Sequence, residues 1–372
     1  MLFMAALALR PPIVGLGPLI PEIRAALELS HTVAGLLIAV PVACLGVFAL
    51  PVGWVVARHG LVLSMAGALA VAAAFGLLRA AAFDGGQLLA GTVGVGASLG
   101  LAGAMLPGAV KASVTRQAGL ATGIYAIGIQ LGAAFSAMLA VPMAVMFGWR
   151  GALVSFSLLS LVVCVGWIVG TRGTMPMRPS RVPHLPLPIK SLRAWHLAVL
   201  FSINSVCFWG LAAWLPSYYV ERGWQPADAG LQVALLNLCS LPATLLIPWL
   251  SDRVGARRPF LTVAGGFLGV AILGVIVAPA AATLWMILGG LALGVMFTLT
   301  LTLPVDIGQN PSEVAGLAAV MLAGGYALAA ISPAMLGWVR DVTGSFVPAL
   351  ALLVVVAIVQ LPLVQRLPAR VH

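Results

Sequence analysis

Residues 7–24 read LALRPPIVGLGPLIPEIR and lie in the first long apolar stretch of the chain. At 1.5 Å rise per residue, Arg10 stands roughly 13 Å into a hydrocarbon layer about 30 Å thick. A cation at that depth costs several kcal/mol unless it faces a partner or a wet cavity, and such charges mark functional sites. Pro11 and Pro12 follow at once. They cannot donate to the helical ladder, so they free backbone groups that only a cavity or a neighbouring helix can satisfy. The stretch reads as a membrane span with a built-in break beside a buried charge.

The rest of the chain agrees with a membrane setting. Of 372 residues, 62% are hydrophobic and only 8% charged, with a mean hydropathy of +1.13. Soluble domains carry about 25% charged residues. The composition therefore describes an all-α membrane protein that crosses the bilayer many times. The net charge of +10 does not signal nucleic acid, because the basic residues sit in short turns between apolar runs and not on one arm or face. Cys44, Cys164, Cys207 and Cys239 lie inside apolar runs with no CxxC, which reads as small buried residues, with no metal and no cofactor. No basic region precedes the first apolar stretch, so no cleavable signal peptide is expected.

Apolar runs of spanning length recur twelve times, at about 2–23, 32–57, 62–81, 86–110, 118–146, 150–171, 195–220, 227–250, 259–279, 282–305, 313–337 and 345–365. The longest connection, residues 172–194, is Pro-rich and basic, as a linker is. With an even number of spans both termini share a side. That side carries thirteen Lys and Arg, the opposite side five, and Arg10 lies within the membrane. The positive-inside rule places both termini in the cytoplasm.

The two halves repeat at an offset of 195. Pro21 falls on Pro216, Ala34-Gly35-Leu36 on Ala229-Gly230-Leu231 and Cys44 on Cys239. Trp54, Arg58 and Gly60 fall on Trp249, Arg253 and Gly255. An even six-span offset preserves orientation, so the repeat is parallel, the plan of two six-helix halves rocking about a midplane site. The implied units are residues 1–171, a linker 172–194, and residues 195–372. Arg10 falls on Ser205, so the buried charge exists in one half only.

Residues 248–258, PWLSDRVGARR, sit in the turn after span 8. Asp252 can cap a helix or pair with an Arg, Gly255 permits a tight turn, and Arg257-Arg258 reach the headgroups. With Arg253, these residues read as a conformational latch between helices. In the first-half copy Ala57 replaces Asp252. Glycines four apart in spans 4 and 5, such as Gly96/Gly100 and Gly128/Gly132, allow close helix approach. Polar residues deep in spans are few: Tyr125, Gln130, Asn204, Asn237 and Tyr326. These, with Arg10 and Trp209, form the candidate substrate site, in which the polar side chains supply directional hydrogen bonds. Trp214, Tyr218 and Tyr219, towards the outer end of span 7, read as an interfacial aromatic belt. No catalytic constellation appears, so an enzyme is not expected.

Several segments resemble a known family. Arg10-Pro11 through Gly17-Pro18-Leu19-Ile20-Pro21, with Ile23-Arg24, is similar to the first span of the cyanate and 2-nitroimidazole transporter family of the major facilitator superfamily. Leu106 to Lys111, Gly148-Trp149-Arg150 and Ala213 to Tyr219 add to the likeness, and residues 248–258 resemble the superfamily's loop signature. The family often carries Asn two residues before this Arg, where this chain has Ala8. The resemblance implies twelve transmembrane helices in two pseudo-symmetric six-helix bundles. It implies a monomeric secondary transporter in the inner membrane that carries a small anionic or polar solute by alternating access, with no nucleic-acid partner. A drug or nitroheterocycle exporter with an aromatic cavity is the alternative, and a non-transporting sensor or membrane-embedded enzyme a more distant one.

Overall fold

A computed structural model describes residues 1–113, 118–172, 187–309 and 311–367, with the side chains of 110–113, 118–123, 125, 311 and 312 excepted. Helices account for nearly all of it, and no strand occurs among the described residues. The first span is built from α1 (Leu2–Ala8), α2 (Pro11–Val14), a 3-10 turn (Gly17–Leu19) and α3 (Ile20–Leu27). The second is α4 (His31–Val47) plus α5 (Val52–His59), bent by 67°. Then come α6 (Leu61–Ala80), α7 (Gly85–Ser113) and α8 (Ala118–Gly170). The second half contributes α9 (Leu192–Val220), α10 (Pro226–Val254), α11 (Arg258–Val277) and α12 (Ala282–Ile307). It closes with α13 (Pro311–Ala329), α14 (Ile331–Thr343) and α15 (Phe346–Val364).

Ten of these stretches are long and apolar enough to cross a bilayer alone, and the bent α4–α5 pair makes eleven. The twelfth is hidden in α8, whose 53 residues are interrupted at Gly148 (φ 70, ψ 166), a conformation that glycine adopts without strain. The expected spans 118–146 and 150–171 lie on either side of that break. Twelve transmembrane helices result, as the hydropathy pattern requires.

The repeat recurs in three dimensions, with the packing glycines of the fourth and tenth spans one residue short of the 195 offset. A Cβ on Gly96 would meet Pro41 Cα at 2.6 Å and Cys44 at 3.0 Å, while one on Gly290 would meet the Leu236 carbonyl at 2.4 Å and Cys239 at 2.9 Å. One turn on, Gly100 faces the Cys44 carbonyl at 2.5 Å, and Gly294 the Ser240 carbonyl at 2.4 Å. Both pairs bring α7 onto α4, and α12 onto α10, at backbone-contact distance. In a bilayer, where apolar surface alone does not drive association, such contact is what holds helices together. The loop copies match as well. The Arg58 guanidinium stands 5.7 Å from the Trp54 ring and that of Arg253 3.9 Å from Trp249, with Gly60 and Gly255 both at positive φ.

The halves meet most closely on the side opposite the termini. A Cβ on Gly17 would lie 2.1 Å from the Ala212 carbonyl, and one on Gly337 2.3 Å from the His31 carbonyl. Asp341, at the end of α14, caps the start of α4 across this junction. Its Oδ1 accepts from the His31 backbone N–H at 3.0 Å and lies 2.7 Å from His31 Nδ1. Its Oδ2 accepts from the Thr32 N–H at 2.8 Å and the Thr32 hydroxyl at 2.6 Å. A carboxylate at a helix N-terminus satisfies otherwise unpaired N–H groups and complements the helix dipole.

Two expectations change here. Trp214, Tyr218 and Tyr219 do not form an interfacial belt, since all three are fully buried. Trp214 Nε1 donates to the Pro333 carbonyl at 2.7 Å and the Tyr218 hydroxyl to that of Val275 at 2.7 Å. The polar tips of these two find protein acceptors, so they have no need of the headgroup layer, while the buried Tyr219 hydroxyl has no hydrogen-bond partner. Arg79, counted with the loop charges, is also fully buried, in the last turn of α6. Removing it leaves thirteen basic residues against four on the two sides, which sharpens the charge asymmetry.

Candidate functional site

Arg10 caps α2 at the break in the first span. Pro11 and Pro12 carry no N–H, and the Leu16 N–H turns to the Ile13 carbonyl at 3.2 Å. The Pro12 carbonyl is thereby left over, and Arg79 Nη1 donates to it at 2.9 Å. Arg79 Nε and Nη2 have no partner in the protein. A buried guanidinium thus pins the backbone two residues after Arg10 and fixes the break from which Arg10 projects. On the other face of this span, a Cβ on Gly132 of α8 would lie 2.2 Å from the Leu7 carbonyl, so the backbone is clamped on that side too.

Arg10 points into a cavity at the junction of the two halves. The first half supplies Arg10 and Gln130, and the second supplies Asn204, Trp209, Asn237 and Tyr326. Six of the seven residues expected at the site therefore converge from five separate segments, while the side chain of Tyr125 lies outside the described residues. About 30 Å³ of the cavity admits the centre of a water molecule, room for roughly two waters or a compact solute of a few heavy atoms.

Sequence reasoning passed over other lining residues. Ser205 is the repeat counterpart of Arg10 and borders the same cavity; the offset alone could have found it. Ser240 is one helical turn from Asn237, and Phe208 one turn from Asn204, so each shares a face with a residue already picked out. Phe297 on α12 carried no polar signal.

The electrostatics are one-sided. No carboxylate lines the cavity among the described residues. The Arg10 guanidinium stacks 4.9 Å from the Trp209 ring and 5.6 Å from Phe208. Its Nη1 is buried without a hydrogen-bond partner. A cation–π contact is worth about 0.5–2 kcal/mol. Removing a guanidinium from water costs several kcal/mol. The aromatic rings position the charge but do not by themselves offset its desolvation.

The neutral polar groups are partly committed. Gln130 Nε2 donates to the Ser240 hydroxyl across the junction. That hydroxyl donates to the Asn237 carbonyl at 2.6 Å. Asn237 Nδ2 donates to the Val233 carbonyl at 2.8 Å, leaving Oδ1 unpaired, and Asn204 Oδ1 is unpaired too. The Tyr326 ring packs edge-on against Phe201 at 5.0 Å, and its hydroxyl is a polar neighbour of the Arg10 guanidinium.

Residues 248–258 form a compact brace. Arg257 pairs with Asp306 of α12 (Nε to Oδ2, 3.1 Å) and with Asp252 (Nη2 to Oδ1, 2.6 Å), and bonds the Ser251 hydroxyl. Gly255 closes α10 in the left-handed region (φ 69), its N–H bonding the Ser251 carbonyl at 3.0 Å. Arg253 lies exposed on Trp249, and Arg258 opens α11 with Nε unpaired. These bonds tie α10, α11 and α12 together within one half.

Among known proteins, the Major Facilitator Superfamily profile matches residues 2–333. An uncharacterized transporter of Bacillus subtilis, YycB, is 30% identical over 95% of this chain and 89% of its own length. The 2-nitroimidazole transporter of Escherichia coli is 28% identical over 93% of this chain and 88% of its own. The cyanate transport protein CynX of the same organism is 29% identical over 93% and 90%. Among solved structures, a bacterial homologue of the human lysosomal transporter Spinster, inward-facing and occupied, superposes with a TM-score of 0.79 at 15% identity, over 98% of this chain and 94% of that one. A central cavity between two repeated halves, in a chain matched by that profile over most of its length, places this protein in the Major Facilitator Superfamily as a multi-pass membrane transporter of small solutes and not an enzyme.

Proposed function

We propose that the protein carries a small anionic or strongly electronegative polar solute across the inner membrane by alternating access, with Arg10 as its anion-binding residue. The observation that carries this reading is the buried Arg10 Nη1, unpaired in a cavity whose described lining holds no carboxylate. A charged hydrogen bond from a bound anion offsets the desolvation that Trp209 and Phe208 leave uncompensated. Relatives named for cyanate and 2-nitroimidazole transport support a compact solute with an electronegative end.

The two rocking units are residues 1–171 and 195–372. Both termini lie in the cytoplasm, on the strength of the basic-residue asymmetry. On that orientation, the Asp341 cap on α4 closes the outer side. Residues 252–258 act at the inner side as a latch, holding α10 and α11 to α12 through Arg257 and Asp306. The protein works as a monomer, needing only the bilayer and its solute.

Counterflow in proteoliposomes, with thermal shift to find the solute, tests the central claim. Arg10→Ala is expected to abolish binding and exchange of small anions, and Arg10→Lys to weaken them, because an ammonium cannot reproduce the planar fork. Transport that survives Arg10→Ala in a folded protein sinks the reading. It would favour the exporter, in which Trp209 and its neighbours select and Arg10 is structural.

A further inference from the structure

The unpaired acceptors of the cavity carry information that the cation does not. Asn237 is fully buried and Asn204 is 3% exposed, and in each the amide oxygen has no hydrogen-bond partner in the protein. For Asn237 the amide orientation is fixed by its neighbour. The group facing the Val233 carbonyl at 2.8 Å must be the amino group, because two carbonyl oxygens at that distance repel. Oδ1 is the opposite end of the same planar amide and is directed away from the α10 backbone. The Ser240 hydroxyl, one turn on, already donates to the Asn237 backbone carbonyl at 2.6 Å. Gln130 Nε2 is engaged with Ser240.

A buried acceptor left unpaired costs roughly as much as a lost hydrogen bond, so a ligand that supplies a donor gains what a ligand lacking one forfeits. Sites built this way discriminate strongly, because the analogue without the donor leaves the protein group stranded. Bare oxyanions such as cyanate or nitrate satisfy Arg10 but present only lone pairs to Asn237 Oδ1.

We infer that the solute of this site carries an N–H or O–H donor in addition to its anionic or electronegative oxygen end. Donor-bearing nitroheterocycles and small hydroxy acids belong to that class, and simple triatomic or tetratomic oxyanions do not. The inference rests on the proposed binding role of Arg10. Asn237 is its specificity-determining residue, meeting the donor while Arg10 holds the other end.

Matched ligand pairs on the purified full-length protein test it, by calorimetry or thermal shift. One pair is 2-nitroimidazole and 1-methyl-2-nitroimidazole, at a pH where the ring N–H is retained. Another is glycolate and methoxyacetate. In the native chain the donor-bearing member is expected to bind roughly ten- to a hundredfold tighter. Asn237→Leu is expected to erase that preference while the methylated member keeps its affinity. Equal or tighter binding of the methylated members, or of nitrate, to the native chain overturns the inference. So does an Asn237→Leu variant that weakens both members alike. The native comparison needs no variant and decides the matter even if Asn237→Leu does not fold. Arg10→Ala separates the two claims. If binding vanishes there while the native chain shows no donor preference, the inference falls and the Arg10 reading stands. If the affinity for both members is undiminished in Arg10→Ala, the Arg10 reading falls.

Discussion

The opening span of the first half and its counterpart in the second half occupy equivalent places in the repeat and are built differently. The first is in pieces, with α2 only four residues long, a 3-10 turn after it, and Arg10 at the break. The counterpart, α9, runs unbroken for 29 residues through Pro216, with Ser205 where the first half has Arg10. The second spans differ likewise: α4 and α5 meet at 67°, while α10 is continuous over 29 residues despite Pro242 and Pro248. Helix-to-helix packing is nonetheless shared, since Gly96 and Gly100 do in one half what Gly290 and Gly294 do in the other. The scaffold is symmetric where backbones touch and asymmetric where the cavity is lined. One half contributes the charge on a broken helix, and the other contributes the amides and aromatic rings on intact ones.

That contrast can be attacked directly. Arg10→Ser makes the first half resemble the second at this position. Calorimetry with the anion found by thermal shift is expected to show a loss of roughly a hundredfold or more, the scale for removing one partner of a buried charged contact. Retained affinity would mean that the charge asymmetry is not what sets recognition. Arg79→Ala removes the clamp on the broken span, leaving the Pro12 carbonyl unpaired and a cavity behind it. Destabilisation of roughly 2–4 kcal/mol is expected as a lowered thermal midpoint, with weaker anion binding because Arg10 is no longer aimed. An unchanged midpoint would show that the break holds itself.

The symmetric part predicts equal effects. Gly100→Ala and Gly294→Ala each force a Cβ against a backbone carbonyl, at 2.5 and 2.4 Å. Each should destabilise by roughly 1–3 kcal/mol, and by the same amount within error, in parallel thermal melts. A large difference would break the packing equivalence. The smallest effect is expected at the exposed stacks. Arg58→Ala and Arg253→Ala should each change stability by less than about 1 kcal/mol, with Arg253→Ala the greater because its ring contact is 3.9 Å against 5.7 Å.

Much of this architecture was legible from residues alone. Span number, the parallel repeat and the buried cation follow from properties that act along the chain. Bilayer thickness sets the length of each apolar run, and a scarce residue such as Trp or Arg makes a constant offset visible. Five of the residues that line the cavity, Arg10, Gln130, Asn204, Asn237 and Tyr326, stand out because polar groups are rare in spans and expensive there without purpose, and Trp209 because an aromatic ring lies that deep. The misreadings share one cause. Trp214, Tyr218 and Tyr219 lie near a span end, where an aromatic belt and a buried junction look alike in sequence. Arg79 lies in a last helical turn, where a loop charge and a buried brace look alike.

The sequence by itself determined that this chain crosses a membrane twelve times, in two related halves, with a cation deep in the first span. Hydropathy, period and scarcity are one-dimensional quantities, and they survive without coordinates. Only the tertiary structure decided which side chains meet. It brought Ser205 and Ser240 to the cavity, and turned the Asn237 amino group to its own helix and the oxygen away from it. It also broke one proline-bearing helix at Pro51 and let another pass through Pro248. These outcomes depend on helix rotation and crossing. In a bilayer, lipid-facing and helix-facing apolar residues are chemically alike, so the pattern along the chain does not encode that rotation; close backbone contact and buried hydrogen bonds set it.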